Sequence, residues 1–182
     1  MSELKHALEK AGIEGGGGMK KICRICKEPL KDDKFDTCYR CSQKNRGTYD
    51  SLPSDYLSKL AKGYFDEKGY LWEDFLTTMA KDVAKSFGTK LKSHQLRRFY
   101  GHAKAAEIRL KMTEDWDAVN VDVKKLEPFV SEAKGKDKIP QSFYEFIEKN
   151  IKAIKKRKDF EEGFMEHFQA VVAYFTYHYP KN

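Results

Sequence analysis

Long apolar runs are missing from this sequence of 182 residues. No stretch approaches the roughly 20 apolar residues that a membrane-spanning helix needs, and the N-terminus lacks the apolar core of a secretory signal. These two absences predict a cytoplasmic protein that does not enter a membrane. Runs of alternating apolar and polar residues, typical of strands, are also missing, and no internal repeat of fixed period occurs.

Acidic residues are nearly absent from one segment. Between Val83 and Met112 the chain has eight Lys or Arg and a single acid, Glu107. The whole chain has a net charge of +7, with 35% charged and 40% apolar residues. This composition provides a core, and it favours nucleic acid or another acidic partner.

The same segment has the periodicity of a helix with two different faces. At about 100° per residue, one arc is apolar and comprises Leu96, Phe99, Tyr100, Ala103, Ala106 and Leu110. The opposite arc is basic and comprises His94, Arg98, His102 and Arg109, with Arg97 and Lys104 at its margin. The apolar arc predicts a core face, and the basic arc predicts a face that binds a polyanion. The alternative is that some of these side chains pair with acids of neighbouring helices. Arg97 is the first candidate for such an ion pair, within the chain or with another subunit.

Apolar stripes at helical spacing continue through the rest of residues 48–182. Pro53 is suited to the start of a helix, Gly88 to the end of one, and Ser93 to the cap of the basic helix. Short connections join the stripes, so the sequence predicts an all-α bundle of about five to six helices. Residues 1–18, a short amphipathic stretch and four glycines, are interpreted as an N-terminal extension and flexible linker.

All four cysteines lie in residues 19–47, in two Cys-x-x-Cys pairs: Cys23, Cys26, Cys38 and Cys41. Two such pairs supply the four thiolates of a closed tetrahedral site, which predicts a small module holding one structural zinc. Iron in a rubredoxin-like site uses the same ligands and is the main alternative. Two disulfides are not expected in a reducing compartment. A module of this size needs its metal to fold.

A second basic run extends from Lys149 to Lys158 with six basic residues and no acid. Cations near the C-terminal end of a helix are stabilised by its dipole, and we prefer this interpretation to a second phosphate contact. The aromatic residues of the last stripe, from Phe160 to Phe175, are interpreted as core, and His167 and His178 as core or surface residues.

Several segments of the body resemble the small helical subunit of type III-A CRISPR effector complexes, the Csm small subunit. The similarity covers about residues 48–179 in order, and its most specific segments are Ser93-His-Gln-Leu-Arg-Arg-Phe-Tyr100 and Phe164 to Tyr174. Two features depart from the family. It does not generally carry a four-cysteine module, and a tyrosine is expected near Glu132, in the helix that contains Leu126-Glu-Pro128.

The resemblance implies a compact helical bundle without catalytic activity. Several copies would stack along the complex, contact its backbone and large subunits, and help to hold target RNA paired to the guide RNA. The candidate RNA-binding residues are Lys92, His94, Arg97, Arg98, His102 and Arg109. The sequence has no converging set of acids, bases or nucleophiles that would indicate an enzyme. Two alternatives stay open: a stand-alone zinc-finger protein that binds structured RNA or DNA, and a subunit that bridges proteins without touching RNA.

Overall fold

A computed structural model describes residues 21–23, 28–30, 50–180 and 182 of the chain. The chain divides into two compact units, Met1–Arg46 and Gly47–Asn182. In the described part of the first unit, Ile22 and Pro29 form an antiparallel bridge. The Cys23 N–H donates to the Glu28 carbonyl at 2.8 Å, and the Leu30 N–H donates to the Lys21 carbonyl at 2.7 Å. Cys23 and Leu30 are buried against each other.

The described residues of the second unit are helical, with no strand among residues 50–180. The α-helices are α1 Ser54–Leu60, α2 Thr78–Ser86, α3 Ser93–Thr113, α4 Trp116–Lys124, α5 Leu126–Gly135, α6 Gln141–Ala153 and α7 Met165–His178. A 3-10 turn, Glu73–Phe75, precedes α2, and a π-helical segment, Asp159–Phe164, precedes α7. The all-α class is confirmed for these residues. Six of the helices have nine residues or more, in agreement with the predicted five to six.

The helix boundaries follow local sequence signals. Pro53 stands immediately before α1, because its fixed φ suits the start of a helix. Gly88 follows the end of α2 with φ +59°, a left-handed conformation that favours glycine. Lys92, not Ser93, is the N-cap of α3, and its N–H donates to the Gln95 side chain at 2.9 Å.

The core is rich in aromatic rings. Phe146 of α6 lies at its centre, with ring centroids 5.3 Å from Phe168, 5.6 Å from Phe87 and 5.7 Å from His167. α7 packs against α2 and α3, and Phe160, Phe164, Phe168 and Phe175 are fully buried. The prediction that the aromatic residues of the last stripe belong to the core is confirmed.

A buried polar network connects α1, α6 and the loop after α1. The Asn150 amide donates to the Tyr56 hydroxyl at 2.6 Å and accepts from the Tyr64 hydroxyl at 2.8 Å. Burial raises the pKa of both tyrosines, so both stay protonated. The π-helical segment lies directly on this network: a β-carbon at Gly163 would meet the Tyr64 ring at 2.6 Å.

His167 of α7 is a fully buried core histidine. Its Nδ1 lies 2.5 Å from the Phe75 carbonyl oxygen, so the neutral ring donates from that nitrogen. Burial lowers its pKa to about 4 from 6.5. Because the unfolded chain binds a proton between these values and the folded chain does not, acid favours unfolding. We expect the free energy of unfolding to fall by about 3 kcal/mol as pH decreases from 6.5 through 4.

Urea denaturation at pH 7, 6, 5 and 4 measures this effect. His167→Asn is expected to be less stable at pH 7 but to lose less stability with acid, and subtracting its pH profile removes the contribution of all other titrating groups. Equal pH profiles for the two proteins would contradict the assignment of His167 as a neutral core residue.

Candidate nucleic-acid interface

The long helix α3 has the two faces that its sequence predicts. Leu96, Phe99, Ala103, Ala106 and Leu110 are buried. Tyr100 is half-buried, and its hydroxyl donates to the Gln169 side chain at 3.3 Å. This fixes the rotation of α3 in the bundle, so His94, Arg98, His102 and Arg109 are exposed.

A groove follows the exposed side of α3 where α5 lies beside it. Its first part has a volume of about 200 Å³ and is lined by His94, Arg98 and His102 of α3 and by Phe129 and Glu132 of α5, among others. Its second part, of about 310 Å³, is also lined by His102 and Phe129 and extends to Ala105, Arg109, Asp122 and Lys125. Because the two parts share residues, they form one α3–α5 groove. From His94 to Arg109 it extends about 22 Å along the helix.

Positive charge predominates in the α3–α5 groove. The cations that line it are Arg98, Arg109, Lys125, Lys136 and Lys138, and the acids are Asp122 and Glu132. A hydrogen bond from Lys125, at 2.7 Å, and an ion pair with Arg109 lower the pKa of Asp122. A hydrogen bond from Lys136 lowers the pKa of Glu132. Both acids are therefore ionised at neutral pH and neutralised by three of the cations.

Arg98 is the groove cation best placed to meet a phosphate. Within the described part of the chain it forms no direct ion pair, although its charge helps to lower the pKa of Glu132. Arg109 is already bound to Asp122, 13 residues away. An incoming phosphate can therefore bind Arg98 without displacing a carboxylate, whereas Arg109 has to share its guanidinium.

An aromatic residue that sequence reasoning missed lies in the groove. Phe129 of α5 is 43% exposed, and its ring centroid is 5.1 Å from that of His102, at an interplanar angle of 36°. Exposed aromatic rings beside cations provide stacking surfaces for bases or riboses. Phe129 lies three residues before Glu132, near which the family led us to expect a tyrosine.

The other two candidate residues lie outside the groove. Lys92 precedes α3, and its ammonium group donates to the Thr89 carbonyl at 3.2 Å and to the Asn182 side chain at 2.9 Å. Arg97 is exposed next to Arg98 in the sequence, but it lines no part of the groove. Among residues 50–180 Arg97 forms no ion pair, whereas Arg109 is paired with Asp122 of α4. An ion pair of Arg97 with another subunit stays a prediction.

Glu107 of α3 is paired with two lysines of the same helix. It is 6% exposed and forms ion pairs with Lys104 at 2.5 Å and Lys111 at 2.6 Å. This single carboxylate offsets part of the charge of two of the eight basic residues between Val83 and Met112, and both lie outside the groove. Of the other six, Arg98 and Arg109 line the groove.

Of the four cysteines, only Cys23 lies in the described residues, where it is buried. Cys26, Cys38 and Cys41 lie outside the described residues, as do positions 1–18. Ile22, next to Cys23, pairs with Pro29 in an antiparallel bridge. In the described part of the chain, no group of three or more His, Cys, Asp or Glu could hold a metal ion.

Fold and groove together define a small all-helical protein with a basic interhelical groove. No helix among the described residues is long and apolar enough to cross a membrane. The family model Csm2 Type III-A matches residues 73–181, which is more than half of the chain, and the protein belongs to that family. It is therefore a subunit of a type III-A CRISPR complex. No curated protein and no solved structure matches the chain.

The matched region contains the whole of α3, α4 and α5 and thus every residue of the groove. The first part of the resemblance, residues 48–72, lies before the matched region, and so does the cysteine-containing segment.

Proposed function

We propose that this subunit is non-catalytic and that its α3–α5 groove holds the phosphate backbone of target RNA paired to the guide RNA. Several copies stack along the complex, in contact with its backbone and large subunits, and each copy contributes one groove. The sequence of the target is read by base pairing with the guide, so the protein needs phosphate contacts rather than contacts to base edges.

The observation that carries the proposal is Arg98, which has no ion pair among the described residues and lies in a groove that also exposes Phe129. A surface shaped only for solubility commonly pairs its cations with acids along the helix, as Lys104 and Lys111 do with Glu107. The groove instead keeps an excess of cations over acids and an aromatic ring beside them. These features together favour a nucleic-acid backbone.

Contacts to other proteins of the complex are supported by a different part of α3. Ile108 and Met112, four residues apart, are 51% and 81% exposed, and exposed apolar residues on one helix face favour a protein neighbour. Family membership favours a subunit over a stand-alone zinc-finger protein. Residue-level crosslinking of the assembled complex separates RNA contacts from a purely protein-bridging role.

We also propose that Cys23, Cys26, Cys38 and Cys41 hold one structural zinc. The support is the spacing of the two pairs together with the burial of Cys23. The closed four-thiolate set has no open position for a substrate, so the metal would stabilise the fold of residues 19–47 and take no part in a reaction.

Arg98 and Arg97 form a matched pair for testing the groove, because both are exposed, adjacent on α3 and without an ion pair among the described residues. In the reconstituted complex, Arg98→Ala is expected to weaken binding of matched target RNA by about tenfold or more, since every stacked copy loses a charged contact. The loss is expected to be similar for all target sequences. The slope of log K against log salt should become smaller by roughly 0.7 per contact on a single strand, and by less where the strand is paired.

The sequence predicts that both arginines contact RNA, but of these two only Arg98 lines the groove. We therefore expect a smaller loss of RNA affinity for Arg97→Ala. Electrophoretic mobility shift or filter binding at several salt concentrations measures both variants. Unchanged affinity for Arg98→Ala in a normally assembled complex would exclude the groove as the RNA site. Failure of either variant to assemble would instead place that arginine at a protein interface.

A further inference from the structure

A second and larger cleft lies on another part of the helical unit. It is bounded by the end of α1 with the loop that follows, and by the end of α6 with the turn into the π-helical segment. Its volume is about 840 Å³, within the range of roughly 300–1,000 Å³ that is typical of pockets for small ligands. It shares no residue with the α3–α5 groove.

Five lysines line this cleft: Lys62, Lys149, Lys152, Lys155 and Lys156. Lys149 and Lys152 are paired with Glu148, at 3.6 and 2.6 Å. The other three form no ion pair within the described part of the chain. We call the site the lysine cleft.

The acid that lines the lysine cleft, Asp159, forms no ion pair with these lysines in the described part of the chain. Its carboxylate accepts hydrogen bonds from the backbone N–H groups of Lys155 and Lys156, at 2.9 and 3.1 Å. The residue is only 8% exposed. Asp159 therefore holds the turn in shape through its backbone and is not bound to either ammonium group.

Stabilisation of helix ends accounts for only part of the positive charge. The C-terminal ends of α1, at Leu60, and α6, at Ala153, both border the lysine cleft. Each helix end carries roughly half a negative charge, and the Asp159 carboxylate adds a full one. Together they offset about two of the three ammonium groups that form no ion pair among the described residues. The sequence favours the helix-end interpretation for the whole run from Lys149 to Lys158. In the structure, Lys155 and Lys156 lie beyond the last residue of α6.

The floor of the lysine cleft is apolar. The anion that binds there is therefore expected to have an apolar part as well. Leu57, Leu60 and Phe65 contribute to it, and Phe65 is half-buried. A peptide made of acidic residues alone would leave this floor uncovered. A nucleotide has both the phosphates for the ammonium groups and a planar base for the apolar surface.

We propose that the lysine cleft binds nucleotide phosphates on Lys62, Lys155 and Lys156, with a base against the floor at Leu57, Leu60 and Phe65. The nucleotide can be free or part of a single strand, since the same chemistry recognises both. This site is independent of the α3–α5 groove and does not rest on its function.

The test uses the full-length protein, ATP as a free nucleotide in calorimetry, and a fluorescein-labelled uridine tetranucleotide in fluorescence anisotropy. Lys155→Ala/Lys156→Ala removes two ammonium groups that form no ion pair among the described residues. It keeps the backbone N–H groups that donate to Asp159. Lys149→Ala/Lys152→Ala is the matched control, with the same change of charge at paired positions. We expect at least a tenfold loss of affinity for the first variant and less than a threefold loss for the second.

Inorganic triphosphate is expected to bind at least tenfold more weakly than ATP, because it has no base. The tetranucleotide is measured in the Arg98→Ala background, so that the groove does not contribute. Tighter binding of the tetranucleotide than of ATP would identify the natural ligand as a single strand. Binding of ATP that is at least as tight would favour a free nucleotide. Both results support the site. Equal losses for the two lysine variants, no binding of either probe at millimolar concentration, or displacement of ATP by a glutamate decapeptide at lower concentration would overturn the proposal.

Discussion

Gly163→Ala is expected to lower the free energy of unfolding by about 4 kcal/mol, the sum of overpacking and a lost buried hydrogen bond. The new methyl group would lie 2.6 and 2.8 Å from two atoms of the Tyr64 ring and 2.9 Å from the Tyr64 β-carbon. That ring is fully buried and is held by its hydrogen bond to Asn150. If the ring moves, the Asn150 side chain loses the partner of its oxygen inside the core.

Gly101→Ala provides the control for this prediction. Gly101 lies in the exposed part of α3, and nothing is within 4 Å of a β-carbon placed there. Alanine at this position is expected to stabilise the protein by roughly 0.5–1 kcal/mol through helix propensity. Urea denaturation of the two variants against the parent protein measures both effects. A Gly163→Ala protein as stable as the parent would show that Tyr64 can leave its position at little cost.

Removal of zinc is expected to unfold residues 19–47 and to leave the helical unit intact. A structural zinc contributes an apparent free energy on the order of 10 kcal/mol or more to a small module. The helical unit has its own core of aromatic and aliphatic residues. Elemental analysis should give about one zinc per chain, and Cys38→Ser should lower this content sharply.

Circular dichroism at 222 nm before and after chelation tests whether the helices persist. Limited proteolysis, followed by mass spectrometry, should show new cuts restricted to residues 19–47. The zinc assignment is wrong if the purified protein contains two disulfides, or if these residues resist protease equally well without metal. Iron in place of zinc would keep the ligand set and change only the metal.

Local periodicity was sufficient to predict the helices and the buried face of α3. Leu96, Phe99 and Leu110 recur at helical spacing, and burial of that face follows from the hydrophobic effect wherever the helix packs. The basic side of the same helix was predicted for the same reason. These features depend on residues within one helix, and such patterns can be read from the chain itself.

The groove depends on which helix lies beside α3, and periodicity does not contain that information. Phe129 is at the margin of the apolar stripe of α5 and becomes a groove residue only because α5 packs next to His102. Arg109 of α3 is paired with Asp122 of α4. The residues next to Arg109 in the sequence therefore do not show that its charge is already bound to an acid. Asn150 is a polar residue that follows Glu148 and Lys149, a pattern typical of a helix surface, yet it is fully buried.

The packing of α7 against α2 also has a consequence for how the protein is made. The Phe75 carbonyl and His167 are in contact although 92 residues separate them, and Phe87 meets Phe175 with ring centroids 6.2 Å apart. During translation, α2 and α3 therefore leave the ribosome long before the helix that covers them. Their apolar faces stay open to chaperones, or to other nascent chains, until α7 has been synthesised.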